Sequence, residues 1–453
     1  MPATIEDVVA RARQDGIRLV RFLYCDPSGV IRGKNVHIEF LARRMRGGVG
    51  LTRAQNAINL LEQLVPVEGM EPVGEIRIVP DPETYSRLLW VPRTASLICD
   101  QLDHDWRDWG ACSRSFLKRA IAAAAEAGIA VMAAFENEFY LAQEVDGEIR
   151  PYGNGPVYSS AGMDRVAHVV DDIVAALEVQ GIAVEQAINE YGAGQQEIAV
   201  RYSDALRAAD TQIKLRDTVR GVAEVQHGLI ASFAAKPFAD QIGSGAHIHF
   251  SLWSRDGSRN LLFDAQAGPR LVSTLGRQFI AGVLDHLPAL VALTCPSFNS
   301  YERLRPQAWA GSTVSWGPDN REAALRVVSP LRGREMESTN LELKTCDPSC
   351  NPYLALGGLI YAGLDGIRRQ LEPPEPALHD PALLADEERQ RCGIRPLPAS
   401  LREALAALQA DPVLFPALGD LLGRCLVAVR TAEATAMEAM TPEAARLAHL
   451  RVF

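Results

Sequence analysis

The chain has 453 residues, more than a single hydrophobic core usually supports, so two domains are expected. Apolar residues make up 47% of it and charged residues 23%, as in ordinary soluble globular proteins, and the net charge of −10 argues against nucleic acid as a partner. No apolar run approaches the roughly 20 residues of a membrane helix, and eight cysteines without a CxxC pair favour reduced thiols in the cytoplasm.

The N-terminal part predicts a small β-rich domain, to which we assign residues 1–104. A helix is predicted over residues 4–15, a hairpin over 17–26 and 30–40 around the turn DPSG, a helix near 38–47 and further strand over 74–92. The stretch from Gly29 to Lys34 has the wrong glycine spacing for a phosphate-binding P-loop, so we assign it to the hairpin.

Residues 105–453 form the second predicted domain, which is rich in helix. A helix over residues 112–131 has Ser113 as its N-cap and Gly128 as its stop, and a helix over 164–181 is capped near Asp164. Further helices are predicted over residues 205–228, 275–293 and 351–371, and from about residue 398 to the end.

Residues 236–251, KPFADQIGSGAHIHFS, hold a glycine-punctuated turn that leads into two histidines at i and i+2. The alternation of His247 and His249 with apolar residues is typical of a strand that presents both imidazoles on one face. The stretches AFENEFY, NEYGAGQQEIAV and NLELKTC offer charged groups in a similar way, and they contribute Glu136, Glu138, Glu190, Glu197, Glu342 and Lys344.

Several such strands indicate a sheet with one packed face and one face that lines a polar cavity. Buried carboxylates need cations or protons to neutralise them. Because the set is rich in carboxylates and lacks cysteine, we predict a site for more than one Mg²⁺ or Mn²⁺ ion.

Arginine is dense in the segment that follows the histidine motif, which allows an anionic small molecule despite the negative net charge. The alternative is a solvated arginine face. The arginines concerned are Arg303, Arg305, Arg321, Arg326, Arg332 and Arg334.

Together these motifs resemble the glutamine synthetase family, in the family's order and over nearly the whole chain. KPFADQIGSGAHIHFS is similar to the family's ATP-site signature, and FENEF, the glutamates around GAGQQ, NSYERL, NREAALR, LELK and NPYLAL are similar to its other landmarks. The resemblance implies an α+β fold, with a β-grasp N-terminal domain and a catalytic domain whose curved antiparallel sheet is backed by helices. It also implies a homo-oligomer, a dodecamer of two stacked hexamer rings with active sites between subunits.

The resemblance further implies roles for individual residues and two or three Mg²⁺ or Mn²⁺ ions per site. One metal, near glutamate, is matched to Glu138, Glu190 and Glu197, and a second, on the ATP phosphates, to Glu136, His247 and Glu342. Gly243, Arg303 and Lys344 are matched to glutamate binding, His249, Ser251, Arg321 and Arg326 to ATP binding, and Arg321, Glu190 and His249 to catalysis.

The implied reaction is an ATP-dependent ligation at the γ-carboxylate of L-glutamate. Phosphorylation gives γ-glutamyl phosphate, and an amine then displaces phosphate to give a γ-glutamylamide, ADP and phosphate. Divalent cations and arginines would neutralise the charge that develops in the first step.

Two departures from the family bear on the amine. The segment GVGLTRAQNAIN, residues 48–59, has no acid where relatives have an ammonium-trapping aspartate, and Trp309 stands where their flap motif has a glutamate. We therefore predict a small primary amine with an apolar substituent, alkyl or aromatic, such as isopropylamine or aniline, with Trp309 as one wall of its pocket. The alternative is that Trp309 only packs the flap.

Three further departures lie near the predicted ligands. Asn340 and Lys344 replace family arginines, and Ile242 replaces an asparagine; lysine keeps the charge of arginine but loses its bidentate fork. Three other functions stay open: a glutamine synthetase that uses ammonia, a non-catalytic ring-forming homologue, and a kinase that stops at phosphoryl transfer.

Overall fold

A computed structural model describes residues 3–267 and 272–453. The N-terminal part contains α1 (Ile5–Gln14), β1 (Leu19–Cys25), β2 (Ile31–His37), α2 (Leu41–Gly47), β3 (Val49–Thr52), β4 (Glu75–Pro80), β5 (Ser86–Arg87) and β6 (Thr94–Leu102). These strands form a sheet in the order β2-β1-β6-β4-β3, with β5 beside β6. The predicted β1–β2 hairpin is confirmed, and β1 also pairs with β6 in parallel.

The predicted strand over residues 74–92 is only partly correct. A 3-10 turn at Pro82–Thr84 separates β4 from β5, which has two residues. Proline within the run explains the interruption, because it fixes φ and has no N–H for a strand ladder.

The second part of the chain contains twelve further strands and twelve further helices in the described residues. They are α3 (Ser113–Glu126), β7 (Ile129–Val145), β8 (Glu148–Pro151), α4 (Ser160–Val179), β9 (Val184–Asn189), β10 (Gln195–Val200), β11 (Ser203–Asp204), α5 (Ala205–His227), β12 (Ile230–Ser232), β13 (Ala246–Ser254), α6 (Thr274–Thr294), α7 (Ser300–Arg303), β14 (Thr313–Val314), β15 (Trp316–Pro318), β16 (Leu325–Val328), α8 (Glu335–Ser338), β17 (Asn340–Leu343), α9 (Pro352–Arg369), α10 (Asp386–Arg391), β18 (Arg395–Pro396), α11 (Leu401–Ala410), α12 (Leu414–Leu418), α13 (Asp420–Glu438) and α14 (Pro442–Val452).

The large sheet runs β15-β16-β17-β13-β7-β10-β9, with β8, β11 and β12 added along β7. Its pairings are antiparallel except for β15 with β16. The fold is therefore α+β, as predicted, with a small N-terminal sheet and a larger sheet backed by helices.

The predicted N-caps of two helices are wrong, one by one residue and the other by five. Helix α3 is capped by Cys112 rather than Ser113, and it ends before Gly128, whose φ is 78°. Helix α4 is capped by Ser159, so Asp164 lies inside the helix. In both cases an earlier side chain already accepts a backbone N–H of the first turn, which satisfies the helix end.

One face of the large sheet is apolar and belongs to the core. Phe135, Ile248, Phe250 and Leu341 are at most 2% exposed there. Helices α3, α5, α6 and α9 contribute to the same core on that side. The burial of this face leaves the alternate residues of the same strands to line the opposite face.

Helices α6 and α9 approach closely in this layer. A Cβ at Gly282 would lie 2.6 Å from the backbone nitrogen of Gly366, so only glycine fits there. No helix in residues 3–267 or 272–453 is long and apolar enough to cross a membrane.

Candidate active site

Five of the six predicted metal ligands lie on strands of the large sheet, and Glu190 directly follows β9. Antiparallel register places Glu138 opposite Glu197 and Glu136 opposite His247. The second histidine of the motif lies opposite Glu342. Opposite residues in an antiparallel pair share a face, so the alternation read from the sequence is confirmed. We call the group the acidic cup, and it consists of Glu136, Glu138, Glu190, Glu197, His247, His249 and Glu342.

Both histidines of the cup contact the same two carboxylates. His247 Nδ1 lies 3.2 Å from Glu136 Oε2 and 3.3 Å from Glu342 Oε1. His249 Nε2 lies 3.6 Å and 3.8 Å from the same two oxygens. Ligand atoms of Glu136, His249 and Glu342 all lie within 4.8 Å of one another, a spacing that suits one metal ion.

The structure therefore offers His249 as a ligand candidate beside His247. His247 Nε2 lies 3.3 Å from an Nη2 of Arg303, while His249 Nε2 is buried and has no hydrogen bond in the described residues. His249 Nδ1 lies 3.0 Å from Asn340 Oδ1, and Asn340 Nδ2 donates to the Ser338 carbonyl. The bond to Ser338 fixes the orientation of the Asn340 side-chain amide, so its oxygen faces His249 and accepts the Nδ1 proton. The Nε2 atom of His249 then faces the carboxylates.

Protein cations neutralise the carboxylate of Glu342. Arg326 donates to Oε2 at 2.7 Å and Lys344 to Oε1 at 3.2 Å. Burial raises the pKa of Glu342, but the charges of Lys344, His249 and His247 outweigh it and lower the pKa to about 2. This carboxylate is therefore ionised at neutral pH.

The pKa values of the neighbouring groups follow the same contacts. Burial raises the pKa of Glu136, but the hydrogen bond with His247 and the nearby charge of His249 bring it well below its usual range. Burial lowers the pKa of His247 to about 4. Burial also opposes the charged form of His249, yet the charges of Glu136 and Glu342 and the bond to Asn340 raise its pKa to about 9.

The other half of the cup is less well neutralised. Glu138 Oε2 accepts from the N–H of Gly245 at 2.8 Å and from Gln195 Nε2 at 3.0 Å, and burial raises its pKa to about 7. Glu190 also has a raised pKa, chiefly from burial. The pKa of Glu197 is raised to about 10 by burial and by the carboxylates around it.

The residues present fit divalent cations. Carboxylates whose pKa values are raised by one another lack counter-charge, and an oxygen-rich set with one or two imidazoles suits Mg²⁺ or Mn²⁺. Oxygens of Glu138, Glu190 and Glu197 are not all within 4.8 Å of one another in the described part of the chain, so their predicted joint site is wider than the one at Glu136.

The residues predicted for glutamate lie beside the cup. Arg303 is 5% exposed, and its Nη1 is buried without a hydrogen bond in the described residues. Gly243 packs on it, since a Cβ there would lie 2.6 Å from Arg303 Cγ. Lys344 is 1% exposed and bonds Glu342. An orphaned buried guanidinium N–H is a donor that an anionic ligand would satisfy.

A cavity of about 330 Å³ opens next to the histidines. Its lining includes Glu136, His249, Ser251 and Asn340, together with apolar groups such as Ala134. An apolar pocket with a few convergent polar groups is the usual form of a small-molecule site. The cavity therefore joins two of the four predicted nucleotide residues, His249 and Ser251, to the cup.

Two predicted residues lie outside these contacts. Arg321 is exposed on the turn between β15 and β16 and forms no ion pair with the cup in the described residues. Trp309 is 50% exposed in the loop between α7 and β14. The structure places both on segments that flank the cup.

Four residues of the site were not given roles from the sequence. Gln195 bonds Glu138, the Tyr158 hydroxyl lies 3.3 Å from Glu190 Oε2, Asn340 bonds His249, and Glu322 bonds the loop that holds Trp309. Gln195 was quoted within the GAGQQ landmark, and Asn340 as a departure from the family. Glu322 lies within the NREAALR landmark, but its contact with the Trp309 loop has no signal in the sequence, and Tyr158 lies in none of the motifs.

Comparisons with known proteins agree with this geometry. Residues 3–111 match the glutamine synthetase N-terminal domain, and residues 110–447 match the glutamine synthetase catalytic domain. The γ-glutamylpolyamine synthetase GlnA3 of Streptomyces coelicolor is 36% identical over 455 residues, covering 99% of this chain and 97% of that protein. A glutamine synthetase of Halobacterium salinarum is 33% identical over 425 residues, covering 92% and 89%.

Solved structures give the same result. A crystal structure of a novel glutamine synthase homolog superposes with a TM-score of 0.84 at 30% identity, covering 96% of this chain and 98% of that one. A GmaS/ADP complex gives 0.84 at 29% identity, covering 97% and 98%. The chain therefore belongs to the glutamine synthetase family and is a carbon–nitrogen ligase.

Proposed function

We propose that this protein joins the γ-carboxylate of L-glutamate to a primary amine other than ammonia, with ATP as the co-substrate. The observation that carries the proposal is the acidic cup, assembled on one sheet face beside a buried arginine and a small-molecule cavity. The similarity to a γ-glutamylpolyamine synthetase supports amide formation with an organic amine.

Two or three Mg²⁺ or Mn²⁺ ions would bind in the cup. Glu138, Glu190 and Glu197 would hold one ion, and Glu136 and Glu342 would hold another with an imidazole of the histidine motif. When bound, these ions would neutralise phosphate charge and the carboxylates that face them.

The chain's own residues would orient the two substrates. Arg303 and Lys344 would bind the carboxylates of glutamate, with the backbone at Gly243 against its side chain. Ser251 would line the nucleotide pocket, and Arg326 would face the transferred phosphate. Placing the reacting groups together converts a slow encounter into a reaction within one complex.

The reaction would proceed in two steps, phosphorylation of glutamate and attack by the amine. A γ-carboxylate oxygen of glutamate attacks the γ-phosphorus of ATP, the bond to the bridging oxygen breaks, and ADP leaves. The amine nitrogen then attacks the acyl carbon, phosphate leaves, and the nitrogen loses one proton. Arg321 and His249 would stabilise the phosphoryl charge, and Glu190 would accept the proton.

Two observations support the class of amine: the two acids of the family pattern that this chain lacks, and its similarity to a γ-glutamylpolyamine synthetase. Trp309 stands at the flap position and is half exposed, so it is available as an apolar wall for an alkyl or aromatic substituent. Polyamines are the second candidate class, because the relative from Streptomyces coelicolor is named for them and the under-neutralised carboxylates of the cup would attract a polycation.

The assembly and location are also proposed. We propose a dodecamer of two stacked hexamer rings with active sites between subunits. Residues 48–59 are predicted to face a neighbour's site, and within the chain Asn56 bonds Gln101 rather than the cup.

All eight cysteines are free and buried, which supports a reducing compartment, the cytoplasm. We place the domain boundary at residues 104 and 105.

The test is a product assay with ATP, glutamate and Mg²⁺ or Mn²⁺ across ammonia, methylamine, isopropylamine, ethanolamine, putrescine and aniline. We expect ADP release to require an amine, and kcat/KM to be higher for at least one organic amine than for ammonia. Ammonia as the best substrate would make the protein a glutamine synthetase. ADP release without amine would indicate a kinase, and no ADP release with any amine would indicate a non-catalytic homologue.

A further inference from the structure

The loop over residues 304–310 bridges two sides of the candidate site. It begins directly after the buried Arg303 and ends at Gly311. The carbonyl of Gly311 accepts from Thr345 Oγ1 at 2.7 Å, and Thr345 follows Lys344. Both ends of the loop are therefore fixed to residues next to the proposed glutamate site.

The middle of this loop has an unfavourable backbone conformation. Gln307 has a φ of 60° and Trp309 a φ of 53°, in the left-handed region that side-chain-bearing residues seldom adopt. Each such residue costs on the order of 1 kcal/mol or more and persists only where its surroundings hold it. A specific contact must therefore hold the backbone of this loop in its left-handed conformation.

The side-chain carboxylate of Glu322 makes this contact with the loop. Glu322 Oε1 accepts from the N–H of Trp309 at 2.9 Å, and Oε2 accepts from the N–H of Gln307 at 3.1 Å. Glu322 thus binds both left-handed residues with its two oxygens. Hydrogen bonds to an ionised group are roughly twice as strong as neutral ones.

The carboxylate is itself held in place. Asn320 Oδ1 accepts from the N–H of Glu322 at 3.0 Å, and Asn320 Nδ2 donates to the carbonyls of Ala377 and His379 at 2.8 Å and 2.9 Å. Glu322 also follows Arg321 in sequence. The contact therefore ties the Trp309 loop to the turn that carries the arginine proposed for the phosphoryl group.

We propose that Glu322 is a positioning residue that holds the Trp309 loop over the acyl phosphate, so that the amine reaches it and water does not. The inference rests on the proposed function, since it concerns the same intermediate. If water attacks the acyl carbon of γ-glutamyl phosphate, the bond from carbon to the phosphate oxygen breaks and glutamate and phosphate form. ATP is then consumed without amide, so loss of the fastening should uncouple the reaction.

The experiment compares wild type with E322Q, E322A and a control, E387Q, which removes an exposed charge on α10. ADP and amide are measured in the same reaction, and hydrogen exchange is followed at the amides of Gln307 and Trp309. In wild type and E387Q we expect equal amounts of ADP and amide. In E322A we expect ADP to exceed amide severalfold, the KM for amine to rise about tenfold, and the two amides to exchange at least about tenfold faster.

E322Q keeps one acceptor oxygen and should give intermediate values, which keeps the test decisive if E322A folds poorly. Unchanged coupling and unchanged exchange at both amides in E322Q and E322A would overturn the role of Glu322. Failure of the proposed function has a different signature, because wild type itself would then form no amide with any organic amine.

Discussion

Replacing Glu197 by glutamine should stabilise the metal-free protein and remove most of its stabilisation by metal. Glu197 is 6% exposed, and its pKa is raised to about 10 by burial and then by the charges of Glu136, Glu138, Glu190 and Glu342. An acid with a raised folded pKa destabilises the fold above its ordinary pKa of 4.5. The penalty grows by ~1.4 kcal/mol per pH unit until the folded pKa is reached.

At pH 7 this penalty reaches about 3 kcal/mol, so E197Q should recover at most that amount without metal. The advantage should shrink as pH falls towards 4.5, where the unfolded carboxyl also takes up a proton. With Mn²⁺ at a hundred times its Kd, the wild type should gain about 2.7 kcal/mol, and E197Q should lose most of that gain because a ligand is missing.

Thermal unfolding in EDTA and in Mn²⁺, each at pH 5 and pH 7, measures both effects. The exposed Glu178 on α4 supplies the control E178Q, which should behave as wild type under every condition. A lower Tm for E197Q than for wild type in EDTA at pH 7, or an unchanged gain from Mn²⁺, would refute the reasoning.

Three other outcomes are expected. N340L leaves an imidazole N–H without its acceptor and should weaken Mn²⁺ binding about tenfold by calorimetry, whereas N340D should bind more tightly than N340L; equal affinities of N340L and wild type would contradict this. W309A should raise the KM for isopropylamine about tenfold and leave the KM for ammonia within a factor of about two. Equal changes in the two KM values would show that the indole only packs the loop. Buried His286 is bonded by Asp411 at 2.7 Å and Asp365 at 3.1 Å, and its pKa is raised because these bonds outweigh burial. Its contribution to stability should be complete below pH 6.5 and lost as pH rises through the raised pKa, so the Tm difference between wild type and H286Q should narrow at alkaline pH.

The alternation of charged and apolar residues was enough to predict which side chains of the cup share a strand face. On a strand, side chains at i and i+2 share a face regardless of tertiary context, so Glu136 with Glu138 and His247 with His249 could be placed from the sequence alone. The pairing of these strands with one another was supplied by the family resemblance. Periodicity fixes a face but not a neighbour.

The first half of β7 shows where local pattern is ambiguous. The run from Ile129 to Ala134 is rich in alanine, which favours helix by propensity, and only residues 134–140 were predicted as strand. In the structure the strand covers Ile129–Val145, because β13 pairs with it along nine residues down to Ile129. Tertiary pairing here overrides propensity.

Contacts between distant segments were beyond the reach of sequence patterns. Glu322 bonds the Trp309 loop across thirteen residues, and Asn340 bonds His249 across ninety-one. A carboxylate or amide alone in the sequence is most often a solvated side chain, so the family pattern marks the positions of Glu322 and Asn340 but does not give their bonding partners. The missing acid at Trp309 was visible only against the family's pattern.

The two halves of the cup constrain which amine the site can use. Around Glu342, protein cations already neutralise the charge, whereas Glu190 and Glu197 have raised pKa values and form no ion pair among the residues that the structure describes. An amine that is neutral at pH 7, such as aniline, needs neither attraction nor deprotonation before it attacks. A protonated alkylamine or polyamine needs both, and because Trp309 replaces the flap acid, we propose that its proton goes to a carboxylate of the cup. Burial raises the pKa of Glu190 in the metal-free cup, and Glu190 is the carboxylate that we propose as the acceptor of that proton.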